Sequence, residues 1–163
     1  MNSKIVYLRN IVFGIEDGLV STVGFIAGIA SAGVSHQFVV ISGIVLIAVE
    51  AFSMAVGSFL SEYSAEEYER HKEVSMHQSL VGAGIMFISY IVAGFVPLSP
   101  FIIGTSPRSL VYSVILSLIA LGILGVISAQ VSKVRVKRQV IRMVVVGGLA
   151  IAIGVLIGKF LKI

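Results

Sequence analysis

EAFSMAVGSFLSEYSAEEYERHKE, residues Glu50 to Glu73, decides how this chain is read. It begins inside an apolar run long enough to cross a membrane and ends in a charged segment suited to water. It holds six of the eight acidic residues; the other two, Glu16 and Asp17, stand side by side in the preceding apolar run. No Asp or Glu follows Glu73. Every carboxylate therefore lies in the first half of the chain. Glu16, Asp17 and Glu50 fall within apolar runs, where an acid is costly unless it faces a cavity or a partner. That distribution points to the handling of a cation.

Working outward, the chain has 163 residues, 57% of them hydrophobic and 12% charged, with a mean hydropathy of +1.05. A soluble domain carries about 25% charged residues. No soluble fold hides this much apolar surface, so the sequence describes an integral membrane protein. A span needs ~20 apolar residues. Five fit, at about 11–32, 38–60, 80–96, 110–131 and 141–161, within a single membrane domain covering 1–163. Residues 61–79 form a short acidic segment after the second span, and Met1 to Asn10 a polar arm before the first. Pro97-Leu98-Ser99-Pro100 is read as a firm end to the third span, because proline lacks a donor and restricts the residue before it. Backbone groups in lipid must be paired internally, and the segments are too long and too uniformly apolar for barrel strands, so the fold class is all-α.

The basic residues set an orientation. With the N-terminus in the cytoplasm, the inner segments hold Lys4, Arg9, Arg70, Lys72, Lys133, Arg135, Lys137, Arg138 and Arg142. The outer ones hold Arg108, Lys159 and Lys162. The acidic segment and the KVRVKR link then face the cytoplasm, and the C-terminus the other side. The net charge of +4 is accounted for by topology and by contact with anionic lipid, with no call for nucleic acid. No cleavable leader is expected, because the first apolar run is interrupted by Glu16-Asp17. The absence of cysteine excludes disulfides, thiolate metal sites and iron–sulfur clusters. The three histidines, His36, His71 and His77, form no metalloenzyme motif, and no phosphate-binding loop is present. The chain reads as a transporter, a channel or a membrane partner protein rather than an enzyme, and it is too small for an ATP-driven pump.

Three features carry the chemistry. Asp17 lies about two turns into the first span; Glu16 points ~100° away, so the pore is given to Asp17 and Glu16 is left near the interface or paired. The plain alternative is a pair of interfacial acids that reach water. Glu50 lies near the middle of the second span with Met54 one turn on, on the same face. A hard carboxylate beside a soft thioether suits a borderline divalent transition metal, whereas calcium and magnesium prefer all-oxygen sites. The plain alternative is a protonated Glu50 bonded to a neighbouring helix, with Met54 as packing; Met86 is a candidate second thioether on the same terms. Glu62, Glu66, Glu69 and Glu73 form one stripe if the second helix continues into the cytoplasm, with His77 near it. Such a stripe gathers divalent cations at a mouth, although a solvated helix face is its commoner meaning.

These residues meet a known family. FGIEDGLVSTVGFIAGIASAG (residues 13–33) resembles the opening helix of the vacuolar iron transporter family, with its DGL motif. ISGIVLIAVEAFSMAVGSFLSEYS (41–64) resembles the second helix, with Ser-Met followed by glycine and an aromatic. PLSP (97–100) and GGLAIAIGVLIGKF (147–160) are similar too. The resemblance implies a five-helix protomer, a homodimer with its path at the dimer interface, and export of Fe²⁺, or Mn²⁺, from the cytoplasm, usually by proton antiport. It maps the family's pathway aspartate to Asp17 and methionine to Met54. It also implies that the second helix continues into a cytosolic metal-binding region, of which Glu62, Glu66, Glu69 and Glu73 resemble the start. Here that region is cut down to segment 61–79, and Glu50 stands one turn before Met54 where family members place the glutamate about two turns before. No cofactor is expected to be held permanently: the metal is substrate and the proton its coupling ion. The expected location is the cell membrane of a prokaryote, and the expected partners are the lipid bilayer, divalent metal and a second copy of the chain. The alternatives are an uncoupled metal channel and a small membrane scaffold that moves nothing.

Overall fold

The computed structural model describes residues 3–104 and 108–161; Met1 and Asn2 of the arm and Lys162 of the outer segments lie outside them. The described residues form five helices: α1 (Ser3–Ser31), α2 (His36–Arg70), α3 (His77–Ile103), α4 (Ser109–Val131) and α5 (Val136–Phe160). All five are long and apolar enough to cross a membrane.

The helix ends follow local chemistry. Gly33, at φ +87°, turns the chain after α1, a left-handed conformation that glycine adopts without steric cost. Ser35 then caps α2 by accepting from the Phe38 amide. α4 closes with the Lys133 amide bonded to the Gln130 carbonyl and the Val134 amide to that of Ala129, Lys133 itself standing at φ +53°. This is a Schellman closure with lysine where glycine is usual.

Two helix ends differ from expectation, those of α1 and α3, while α2 continues past its span as the stripe reading supposed, though not as far as Glu73. α1 begins at Ser3, so the polar arm is helical, and Val6 and Asn10 are buried. α2 runs unbroken to Arg70; at 1.5 Å per residue its 35 residues span about 52 Å, well beyond the ~30 Å of hydrocarbon. α3 does not stop at Pro97 but carries both prolines within it and ends at Ile103. Part of the reason is that one of the two oxygens left without a backbone donor is covered. Pro100 cannot donate to the Val96 carbonyl, and the Ser99 hydroxyl donates to it instead at 2.8 Å. From α4, Ser113 donates to the Pro97 carbonyl at 2.7 Å and ties the proline segment to its neighbour. Neighbouring hydroxyls of this kind are what let a membrane helix keep a proline.

α1 is the central element and touches the other four. It runs parallel to α3 and α5, with α2 and α4 antiparallel. Against α5 the approach is set by glycine. A Cβ on Gly154 would run into the Gly24 carbonyl oxygen, and one on Gly158 into that of Gly28, so the two backbones touch directly. Two apolar cores flank this axis. Leu19, Ala93, Leu121, Leu124 and Met143 lie in one; Ile26, Val39, Ile47, Leu98 and Phe101 lie in the other, towards the α1–α2 turn. α2 packs mainly on α3 and meets α1 lightly, which leaves a crevice between α1 and α2.

Candidate functional site

The α1–α2 crevice holds the polar chemistry of the apolar layer. Its lower part is a groove of about 920 Å³, lined by Arg9, Asn10 and Glu16 from α1, Ser53, Met54, Ser58 and Ser61 from α2, Met86 from α3 and Ser128 from α4. Its upper part, about 390 Å³, is lined by Phe25 from α1 and by Ile41, Ser42, Val45, Val49 and Glu50 from α2. The antiparallel pairing brings the two parts together at the level of Glu16, Asp17, Glu50 and Met54.

At that level Asp17 feels the charges of both Glu50 and Glu16. No basic side chain among the described residues pairs with Asp17 or Glu50. Tyr90 of α3, fully buried, reaches into the same region and feels Asp17 and Glu50. Its hydroxyl is 2.5 Å from the Ser21 hydroxyl, and Ser21 also bonds the Asp17 carbonyl at 2.6 Å. The buried Thr22 hydroxyl lies near Tyr90 but meets no hydrogen-bond geometry. An unpartnered buried hydroxyl is unusual among apolar helices, as are acids without a counter-cation among the described residues.

The sequence-predicted residues separate into three groups. Asp17 and Glu50 come within each other's field, as their placement in the two spans required. Met54 shares its groove with Glu16 and Met86, while Asp17 lines a different groove, of about 610 Å³, between α1 and α5. Within one chain, Glu16 is therefore the α1 carboxylate on the methionine side. The glutamate stripe is only partly formed. The helix ends at Arg70, and His71 takes a left-handed conformation at φ 51°, so Glu73 and His77 leave the line that Glu62, Glu66 and Glu69 share. Glu62 and Glu66 turn inward and are buried, while Glu69 and Glu73 are exposed. Among the described residues no three acidic or histidine side chains come together to hold a metal ion.

Glu62 has a fastening role that the sequence did not reveal. Its Oε1 accepts from the Arg9 guanidinium at 2.6 Å, from the Asn10 amide at 2.7 Å and from the Ser58 hydroxyl at 3.0 Å. Asn10 also donates to Ser58 at 3.0 Å. Its Oε2 is buried without a partner, against Gly82, where a Cβ would lie 2.6 Å away. The clamp joins α1 to α2 at the mouth of the lower groove. Ser58 and Glu62 are one turn apart and legible as a pair, but nothing in the periodicity of α1 marks Arg9 and Asn10 as their partners. Glu66 is likewise engaged, by Arg70 at 2.7 Å.

Fold and site together define a multi-pass integral membrane protein with acids held between its spans. The family model described as the VIT family matches residues 8–80 and 71–159, and the chain belongs to that family. It is 30% identical to vacuolar iron transporter homolog 3 of Arabidopsis thaliana, over 90% of this chain and 79% of that one. It is 29% identical to homolog 4 of the same plant, over 90% and 80%. It is 30% identical to vacuolar iron transporter homolog 5 of Oryza sativa subsp. japonica, over 93% and 78%. VIT family members are transporters, not enzymes, and the chain is read accordingly.

Proposed function

We propose that this protein is a divalent transition-metal transporter that exports Fe²⁺, or Mn²⁺, from the cytoplasm in exchange for protons, working as a homodimer in a prokaryotic cell membrane with its N-terminus inside. The observation that carries the reading is the Asp17–Glu50 pair: two carboxylates on adjacent apolar helices, within each other's field, with no cation of the protein's own between them. Such a pair is tolerable in lipid only when protonated or when a cation sits beside it. One divalent ion and bound protons neutralise the same pair, so that loading one releases the other. This alternation is the physical basis of antiport.

The lower groove supplies the approach. Glu16 with the Met54 and Met86 thioethers favours iron or manganese over magnesium, which prefers oxygen and holds its water. Glu69 and Glu73, exposed at the end of α2 and beyond it, raise the local concentration of cations, while Glu62 and Glu66 are committed to internal contacts. A weak site of few ligands suits transport, where an ion must leave as readily as it binds. A second copy of the chain brings a second set of these groups to a shared path.

Flux of ferrous and manganous ions into liposomes holding the purified protein, with a pH dye inside, tests the reading. Metal movement with opposite proton movement is expected, and both should vanish in Asp17→Asn. Metal flux without a pH change would make it a channel. No flux from folded protein would leave a scaffold.

A further inference from the structure

The α4–α5 link carries a second concentration of charge, of opposite sign to the crevice and unused by it. Lys133, Arg135, Arg138 and Arg142, with Gln139 and Val134, line one concavity of about 480 Å³. Arg135, Arg138 and Arg142 are spaced three and four apart and share one helix face, and Lys133 is set beside them by the left-handed turn that closes α4. Like charges stacked at this spacing repel. They also stand at the start of α5, whose first turn holds no acidic residue and where the helix dipole disfavours cations. None of the four makes an ion pair among the described residues, and the sequence contains no carboxylate after Glu73. The protein therefore concentrates positive charge in a hollow, and no ion pair among the described residues balances it.

We infer that this hollow binds the phosphate groups of an anionic phospholipid, and that four cations around one concavity fit a lipid carrying two phosphodiester groups, of the cardiolipin type, better than one. The ligand is a lipid rather than a free phosphate because of where the hollow lies. Ser128 and Ser132, at the end of α4 beside it, line the lower groove together with Arg9 and Asn10, which sets it near the level of these polar residues of α1, at the border of the apolar layer. Val134, Val136 and Ile141 lie exposed around it, offering apolar surface to acyl chains. Basic pockets at such membrane borders hold anionic headgroups. The lipid's effect falls on α5, the helix with the smallest share of its span buried. A headgroup drawn to the link neutralises the start of α5 and steadies the helix that packs against the Gly24–Gly28 segment of α1.

The test uses the full chain, purified in detergent and stripped of lipid. Thermal unfolding is followed while cardiolipin, phosphatidylglycerol, phosphatidylcholine, inorganic phosphate or glycerol phosphate is added. Cardiolipin is expected to raise the melting temperature by several degrees, phosphatidylglycerol by less per phosphate, and the other three not at all. In the triple variant Arg135→Gln, Arg138→Gln, Arg142→Gln the apparent affinity for cardiolipin should fall about a hundredfold; Lys72→Gln, with a charge removed elsewhere, should keep it. Equal stabilisation of the triple variant and the wild type overturns the site. Equal effect of inorganic phosphate overturns the lipid assignment, and equal effect of phosphatidylglycerol per phosphate overturns the two-phosphate fit. If the triple variant does not fold, Arg138→Gln alone is examined by native mass spectrometry; loss of the retained lipid is expected, and wild-type lipid occupancy overturns the proposal.

Discussion

Glu62 and the Asp17–Glu50 pair are both acids set between helices, and they are treated in opposite ways. Glu62 is 3% exposed and receives a guanidinium, an amide and a hydroxyl on one oxygen. Asp17 and Glu50 have each other, Glu16 and two hydroxyl-bearing neighbours, Ser21 and Tyr90, but no cation among the described residues. A carboxylate that the chain neutralises itself acts as a fastener. A carboxylate pair that it leaves unneutralised has to take its counter-charge from outside. This contrast is what supports the transport role proposed for the pair, without reference to any relative.

The contrast can be broken by exchanging its terms. The largest effect is expected from Asp17→Asn: metal flux into proteoliposomes falls to that of empty vesicles, while the melting temperature does not drop, because the Asp17 carboxylate makes no ion pair among the described residues that the change would break. A melting temperature several degrees lower would instead make Asp17 a fastener. Next comes Glu62→Ala, which strips Asn10 of its acceptor. Because Arg9 is half exposed, the loss is moderate, about 1–3 kcal/mol by chemical denaturation, with flux per folded molecule little changed. Loss of flux at full stability would move Glu62 into the transport path. Tyr90→Phe removes the Ser21 bond at a cost of about 1 kcal/mol and slows flux without abolishing it, as stopped-flow recording of the pH dye can show. The smallest effect is expected from Arg70→Ala, whose partner Glu66 it meets from an exposed position at i,i+4. There the change should stay below about 0.5 kcal/mol.

Much of this was legible in the chain. Apolar runs of sufficient length gave five helices, and the resemblance named the family that the comparisons then showed. What failed to read did so for identifiable reasons. The stop at Pro97 was a sound local inference, offset by the Ser99 hydroxyl on the Val96 carbonyl and by the hold of Ser113 on the Pro97 carbonyl, the latter supplied by another helix that no window around the proline contains. The glutamate stripe reaches Glu73 in the sequence because the spacing of Glu62, Glu66, Glu69 and Glu73 keeps to one helix face. The helix ends there through a histidine in the left-handed region, which this side chain enters more readily than most. Glu16 and Asp17 were told apart by angle alone. Which of them shares a groove with Met54 depends on how α1 is rotated against α3, and that is set by the close seating of Gly14 and Gly18 on Met86, Tyr90 and Ala93. The clamp on Glu62 joins residues more than fifty positions apart, and only the packed structure brings them together.

The prolines of α3 have a mechanical consequence. A helix resists bending through its ladder of amide bonds, and α3 lacks two rungs at Pro97 and Pro100, one of them replaced by the Ser99 hydroxyl, which can swing with the backbone. The Arg9–Glu62 clamp lies at the opposite end of the bundle. The molecule is thus stiff where α1 and α2 are bolted together and pliant at the far end of α3, like a pair of tongs hinged on one side. Any widening of the crevice is easiest at its upper mouth, beyond Glu50.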